Sequence, residues 1–160
     1  MNWNEEEDFD DMNPEENAEF EAKMREDERL LDQHPLMQKA RSLFRLVEGV
    51  VELLPEEEKE MFGNLLLEDV MVINAKLAGA ITSGMWQICM QNAAIIRSHG
   101  EHLRLAHNTL RIYAGIEERY EKLMQTEMEE FRELFIEWVN EFDQMEDEFG
   151  DEWGLFRKNS

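Results

Sequence analysis

The sequence predicts an all-α protein: an antiparallel up-down-up-down four-helix bundle with an acidic N-terminal helix and tail and a short C-terminal tail. Three observations support this fold class. Apolar residues recur at steps of three and four over four long stretches, which is the spacing of a helix seam. Three prolines and eight glycines are too few for turn-rich β structure. The turns between the stretches are short, and short turns join antiparallel helices.

The central stretch shows the seam most clearly. Six of its eight seam positions are apolar. The eight positions are Trp86, Cys89, Ala93, Ile96, Gly100, Leu103, His107 and Leu110. A helix of this extent would be about 40 Å long, which is too long to be stable alone in an acidic chain. Other helices must therefore cover it, and three further seams in the chain provide them.

Prolines and glycines separate the four predicted core helices. These helices cover residues 36–54, 56–81, 86–113 and 116–149. The last helix would be about 51 Å long and would extend beyond the end of the first helix, so its final turns should project, fray or meet another subunit. The chain is thus divided into an acidic tail with a marginal helix (residues 1–33), the four-helix bundle (residues 34–149) and a flexible C-terminal tail (residues 150–160).

The composition excludes several classes of protein. Hydrophobic residues are 42% and charged residues 34% of the chain, and no run of 18 apolar residues exists, so no transmembrane helix is expected. The first residues have neither a basic start nor an apolar run, so no signal peptide is expected. The one cysteine, Cys89, lies on a seam and is interpreted as a buried small residue rather than a reactive thiol, which favours a reducing, cytoplasmic location.

The net charge of −22 is concentrated at the two ends of the chain. Residues 1–33 carry a net −11, residues 34–114 a net −1 and residues 115–160 a net −10. Direct binding to nucleic acid is disfavoured, because it needs clustered Lys and Arg. A basic protein surface is the partner that this charge favours.

Motifs for catalysis or cofactor binding are missing from the sequence. It contains no Glu-x-x-His pair, no glycine-rich phosphate loop, no Cys-x-x-Cys and no nucleophile elbow. His99 and His102 are three residues apart and could share a metal, while His107 lies on the seam. The alternative interpretation is a polar flank for the pair and a hydrogen-bonded core residue for His107. We therefore predict no enzyme activity, no cofactor and no metal, and keep a metal- or haem-binding bundle that uses these histidines as an alternative.

Three arginines recur every seven residues on the third predicted core helix. Arg97, Arg104 and Arg111 would form a straight basic stripe about 21 Å long. The stripe could bind an anionic ligand or an acidic helix, or it could be three surface arginines. We expect it to select helix pairing or assembly, through acids of the following helix, which are Glu118, Glu121, Glu129 and Glu133.

Aromatic residues lie among the acids of both tails. Trp3 and Phe9 are in the N-terminal tail, and Trp153 and Phe156 are in the C-terminal tail. Acidic-hydrophobic tails of this kind can dock on a basic, apolar groove, although residues 1–13 could also be only a solubilising tail. We predict that these four residues bind a partner.

Three sequence stretches carry a family resemblance. They are Leu54-Pro55-Glu56-Glu57-Glu58-Lys59 with Gly63 after it, Ile73-Asn74-Ala75-Lys76-Leu77-Ala78-Gly79-Ala80, and Glu129-Glu130-Phe131-Arg132. Over about residues 36–142 the chain resembles the four-helix-bundle proteins encoded in intervening sequences of large-subunit ribosomal RNA genes, and their relatives, the accessory proteins of diversity-generating retroelements. In that family the second stretch usually reads aliphatic-Pro-x-Asn-aliphatic-Ala-Glu-Gly, and this chain departs from it at Asn74, Lys76, Gly79 and Ala80.

The resemblance implies an up-down bundle that assembles into a ring of five subunits. Family members with a known partner are basic and bind nucleic acid or a nucleic-acid enzyme, whereas this chain is acidic. The leading functional prediction is therefore a cytoplasmic, oligomeric, non-catalytic adaptor that binds a basic protein. An RNA-associated bundle like the resembled family is a further alternative.

Overall fold

The computed structural model describes residues 13–158, and this part of the chain is all α-helical, without a strand. Five helices pack together. α1 spans Pro14–Gln33 and α2 spans Pro35–Glu52. α3 covers residues 56–83, α4 covers residues 86–114 and α5 spans Glu118–Glu141.

Two of the helices contain a π-helical turn. In α3 it lies near the start, at Lys59–Gly63, and regular α-helix resumes at Asn64–Ser83. In α4 it forms the last turn, at Leu110–Ala114, after α-helix over Trp86–Thr109. The two helices end at Ser83 and Ala114, two residues and one residue beyond the predicted ends, and a glycine follows each of them.

Local sequence signals explain the helix ends. Asn13 caps α1 by accepting a hydrogen bond at 3.2 Å from the backbone N–H of Glu15. Prolines occupy the first position of α1 and of α2, where a missing N–H costs nothing. Gly84 and Gly115 both have φ of +61°, the left-handed conformation that ends a helix and that glycine adopts without strain.

The core is a column of apolar side chains from four helices. Leu43 of α2, Ile73 of α3, Ile96 of α4 and Met124 of α5 are each at most 1% exposed. Fully burying one such side chain contributes roughly 1.5–3 kcal/mol, so this column holds the fold together. Helix α1 has no buried residue, and only its last turns touch the core, through the half-buried Leu31.

The seam of α4 differs from the prediction at one position. His107 was expected on the seam, but its side chain is 17% exposed and lies beside the carboxylate of Glu121. Ala106 is buried in its place. The small alanine fits against the neighbouring helix, while the polar imidazole pairs with an acid at the edge of the core.

Contacts between α3 and α4 show that these two helices run in opposite directions. Between α3 and α4, Cys89 lies against the carbonyl of Ala80, and the amide of Asn92 donates to the carbonyl of Lys76 at 2.9 Å. Residue numbers thus fall along α3 as they rise along α4. Helices α2 and α5 are tied by Lys39, whose Nζ donates to Glu127 at 3.0 Å and also to Glu130.

The predicted end of the last helix is wrong. The pattern extended it from residue 116 to residue 149, but α5 ends at Glu141, followed by one 3₁₀ turn, Phe142–Gln144. Met145 is extended, and the chain then folds back, with Lys158 donating to the carbonyls of Asp143 and Met145. Phe142 is buried and Met145 still packs against the core, so the contact of this segment with the bundle ends in the turn rather than in a longer helix.

Within residues 13–158, no helix is both long and apolar enough to cross a membrane.

Candidate functional site

The buried carboxylate of Asp69, on α3, contacts two of the histidines that the sequence singled out. Nδ1 of His99 lies 2.8 Å from Oδ1 of Asp69, and Nδ1 of His102 is hydrogen-bonded to Oδ2 of the same residue. The Asp69 side chain is only 7% exposed, whereas those of His99 and His102 are 27% and 52% exposed. The carboxylate is therefore desolvated by the fold and depends on the imidazoles for its hydrogen bonds.

The chemistry of this cluster follows from its donors and acceptors. An ionised carboxylate only accepts hydrogen bonds, so both imidazoles donate from Nδ1. Each imidazole keeps Nε2 as its remaining polar atom, and His102 also lines a small apolar cavity of about 90 Å³ between α3 and α4. The cluster can fix the orientation of two imidazoles and connect α3 to α4.

Sequence reasoning missed Asp69. The available signal was its spacing: it lies three residues after Leu66 and four before Ile73, which places it on the core-facing side of α3. An acid at such a position needs buried partners, and the histidines of α4 were the candidates.

The third histidine lies apart from the first two. Nδ1 of His107 is 3.3 Å from Oε1 of Glu121 and 3.1 Å from the amide nitrogen of Gln125, both on α5. The three histidines that the alternative prediction grouped around one metal therefore belong to two separate clusters. Among residues 13–158, no group of three or more His, Cys, Asp or Glu side chains is arranged to hold a metal ion.

The arginine stripe divides into three different environments. Arg111 reaches α5, with Nε 3.5 Å from Oε1 of Glu121. Arg104 instead pairs with Glu101 of its own helix, through two bonds of 2.7 and 3.0 Å. This pairing raises the pKa of Arg104 and, with a smaller contribution from Arg97, lowers the pKa of Glu101.

Of the expected acids on α5, only Glu121 meets an arginine of the stripe. Glu118 pairs with Lys122, and Glu129 pairs with Arg132, both within α5. In the described part of the chain, Glu133 forms no ion pair, and Arg97 has no carboxylate oxygen within 4.0 Å.

A groove of about 220 Å³ runs between α4 and α5 beside the first two arginines of the stripe. Its floor is apolar and includes Gly100 of α4 and the side chains of Met128 and Phe131 of α5. Its rim is basic, since Arg97 and Arg104 stand on one side and Arg132 on the other. We call this feature the arginine groove; sequence reasoning missed Arg132, which reaches it only through helix packing.

The residues after α5 form a hydrogen-bonded turn, which we call the C-terminal loop (residues 145–158). The Asp151 carboxylate accepts three backbone hydrogen bonds, from Trp153 at 3.0 Å and from Leu155 and Phe156 at 2.7 Å each. These bonds, that from Phe156 first, lower the pKa of Asp151. The loop packs on α4, with Phe156 half-buried against the core.

The loop presents apolar side chains to solvent among acids. Trp153 is 94%, Leu155 76% and Phe149 71% exposed. The neighbouring acids are Glu146, Asp147, Glu148, Asp151 and Glu152. Of the two predicted partner-binding residues here, Trp153 is thus open to contact, whereas Phe156 serves mainly to hold the loop.

The predicted partner-binding residues Trp3 and Phe9 lie outside the described residues. The predicted mobility of the C-terminal tail stays a prediction.

No family model, no curated protein and no solved structure matches the chain. The resemblance to the intervening-sequence proteins therefore stays a prediction.

Proposed function

We propose that this protein is a non-catalytic, oligomeric adaptor that binds a basic protein partner through its C-terminal loop. The observation that carries the proposal is the 94% exposure of Trp153 on a loop whose backbone is held by Asp151. A tryptophan in water buries a large apolar area when a partner covers it, and residues of this type dominate binding energies at interfaces. An ordered loop also loses less entropy on binding than a free tail.

The negative charge of the C-terminal loop supports a basic protein as the partner. Five acids lie within seven residues of the loop, and the whole chain carries −22. A partner with clustered Lys and Arg would be steered to this end of the protein, and the attraction would weaken as salt is added. Trp153 and Leu155 would then supply contact area that charge alone does not.

We also propose an up-down-up-down topology for α2 to α5 as the scaffold. The opposite residue order in the contacts of α3 with α4, and the Lys39 clamp between α2 and α5, support it. In this scaffold the Asp69 cluster has a structural role, because both carboxylate oxygens are engaged by imidazoles. A cytoplasmic location is part of the proposal and rests on the buried, unpaired Cys89.

Capture from the native cell tests the adaptor proposal. Tagged full-length protein is compared with a Trp153→Ala/Leu155→Ala variant and with a control, Leu65→Ala/Met71→Ala, which removes two other exposed apolar side chains from α3. We expect the wild type and the control to retain the same basic protein, and the loop variant to lose it. Retention should also fall as salt rises. Equal retention by all three proteins would contradict the proposal.

A further inference from the structure

Among residues 13–158, no other helix covers the first half of α1. Every residue from 13 to 26 is exposed, including Phe20 at 49% and Met24 at 56%. A helix of this length is marginal in water without packing, and an exposed apolar pair at positions i and i+4 is the contact face of a helix that docks in a groove. The same face is bordered by the exposed acids Glu16, Glu21 and Glu28.

The arginine groove is complementary to this face of α1 in charge and in polarity. The ten residues lining it include three arginines and one glutamate, so the lining is net positive in a chain of charge −22. Arg104 and Arg132 already have an acid of their own helix as partner, at exposed positions, and an incoming acidic helix would share or replace these pairs. Its floor is apolar and is open at Gly100, where an added Cβ would meet only the methyl of Met128, at 4.0 Å. A basic rim around an apolar floor fits an acidic amphipathic helix.

The two surfaces lie on different sides of one chain. Helix α1 contacts α2 and α3, whereas the arginine groove lies between α4 and α5. We propose that the acidic helix α1 of one copy docks in the arginine groove of a second copy. Phe20 and Met24 then contact the groove floor, while the acids beside them face Arg97, Arg104 and Arg132. This inference specifies the oligomeric part of the proposed function and does not depend on the C-terminal loop.

A charge exchange between the two surfaces tests this pairing. One variant reverses the groove, with Arg97→Glu, Arg104→Glu and Arg132→Glu. A second variant reverses the helix, with Glu16→Arg, Glu21→Arg and Glu28→Arg. Molar mass is measured by sedimentation at low and high salt, and circular dichroism checks that each variant keeps its helix content.

We expect the wild type to self-associate and each variant alone to be monomeric. An equimolar mixture of the two variants should assemble again, because each groove then meets a helix of opposite charge. A matched control, Arg45→Glu with Lys76→Glu and Arg119→Glu, reverses three exposed bases elsewhere and should keep the wild-type mass. Filling the floor with Gly100→Leu, which changes no charge, should also weaken assembly.

Two results would overturn the inference, and they differ in what else they affect. If the wild type assembles and the charge variants assemble equally well, the docking pair is wrong but the oligomeric adaptor stands. If the wild type is monomeric at every salt concentration, both the pairing and the oligomeric part of the proposed function fail.

Discussion

At the scale of single residues, Asp69 shows how the fold uses a buried charge. Its carboxylate is nearly removed from water and accepts one hydrogen bond from each of two imidazoles. Hydrogen bonds to a charged group contribute about 1.5–3 kcal/mol when they are shielded and less when water competes. His99 is the better shielded of the two donors.

We predict that His99→Ala lowers the free energy of unfolding more than His102→Ala, by about 1.5–3 kcal/mol against about 1 kcal/mol or less. The reason is that water can replace the half-exposed ring of His102 more easily. Urea denaturation of the wild type, of both histidine variants, of Asp69→Ala and of each histidine variant combined with Asp69→Ala gives the two coupling energies. Coupling that is equal for both histidines, or absent, would refute this account of the cluster.

The hydrogen bonds of Asp151 predict how the stability of the C-terminal loop depends on pH. Its pKa is lowered because three backbone N–H groups bind the ionised form, so the open loop takes up a proton at higher pH than the folded loop. The folded loop is therefore favoured above the usual carboxyl range and is lost as pH falls through the lowered pKa.

We predict that Asp151→Ala releases the loop already at neutral pH. Amide hydrogen exchange at residues 153, 155 and 156 should accelerate, while a neighbouring control, Glu152→Ala, should leave it unchanged. Unchanged exchange in Asp151→Ala would show that packing of Phe156, and not the carboxylate, holds the loop.

At the scale of helices, the crossing of α2 and α3 depends on one glycine. A Cβ on Gly63 would lie 2.8 Å from Cγ1 of Val51, closer than side chains pack. Gly63 also ends the π turn of α3, so the irregular helix and the close approach occur together. Gly49, on α2, has no atom within 4 Å of such a Cβ and provides a matched control.

Substitution of these two glycines by alanine should change the free energy of unfolding in opposite directions. We expect Gly63→Ala to destabilise the protein by about 1–3 kcal/mol, because it overpacks the crossing. Gly49→Ala should stabilise it by roughly 0.5–1 kcal/mol, because alanine favours a helix. Adding Val51→Ala should recover part of the Gly63→Ala loss, and thermal unfolding measures all four proteins. A stabilising Gly63→Ala would mean that the helices do not meet as described.

At the scale of the whole molecule, local patterns predicted the helices and tertiary contacts decided the rest. The seam spacing correctly predicted that Leu43, Ile73 and Ile96 are buried, because the residues of a buried helix face recur at regular steps along the sequence. The end of α5 could not be predicted in this way, because its apolar pattern continues to Phe149 although the helix ends at Glu141. The pairing of His99 with Asp69 joins residues 30 positions apart and has no local signal beyond the spacing of the acid.

The same distinction applies to the arginine groove. The seven-residue spacing of Arg97 and Arg104 was visible in the sequence, but Arg132 and the apolar floor join them only once α4 and α5 pack. The sequence predicted acidic tails that contain aromatic residues. It could not predict the turn around Asp151, because composition does not reveal the three backbone hydrogen bonds that form it.

Site-specific photo-crosslinking in a lysate of the native cell tests the adaptor role most directly. A photoreactive phenylalanine analogue replaces Trp153 in one protein and Met71, an exposed residue of α3, in a second. We predict that position 153 forms a covalent adduct with a basic protein, in a yield that falls as salt is raised, and that position 71 does not. Adducts that contain only further copies of this chain, or equal yields from the two positions, would contradict the adaptor account.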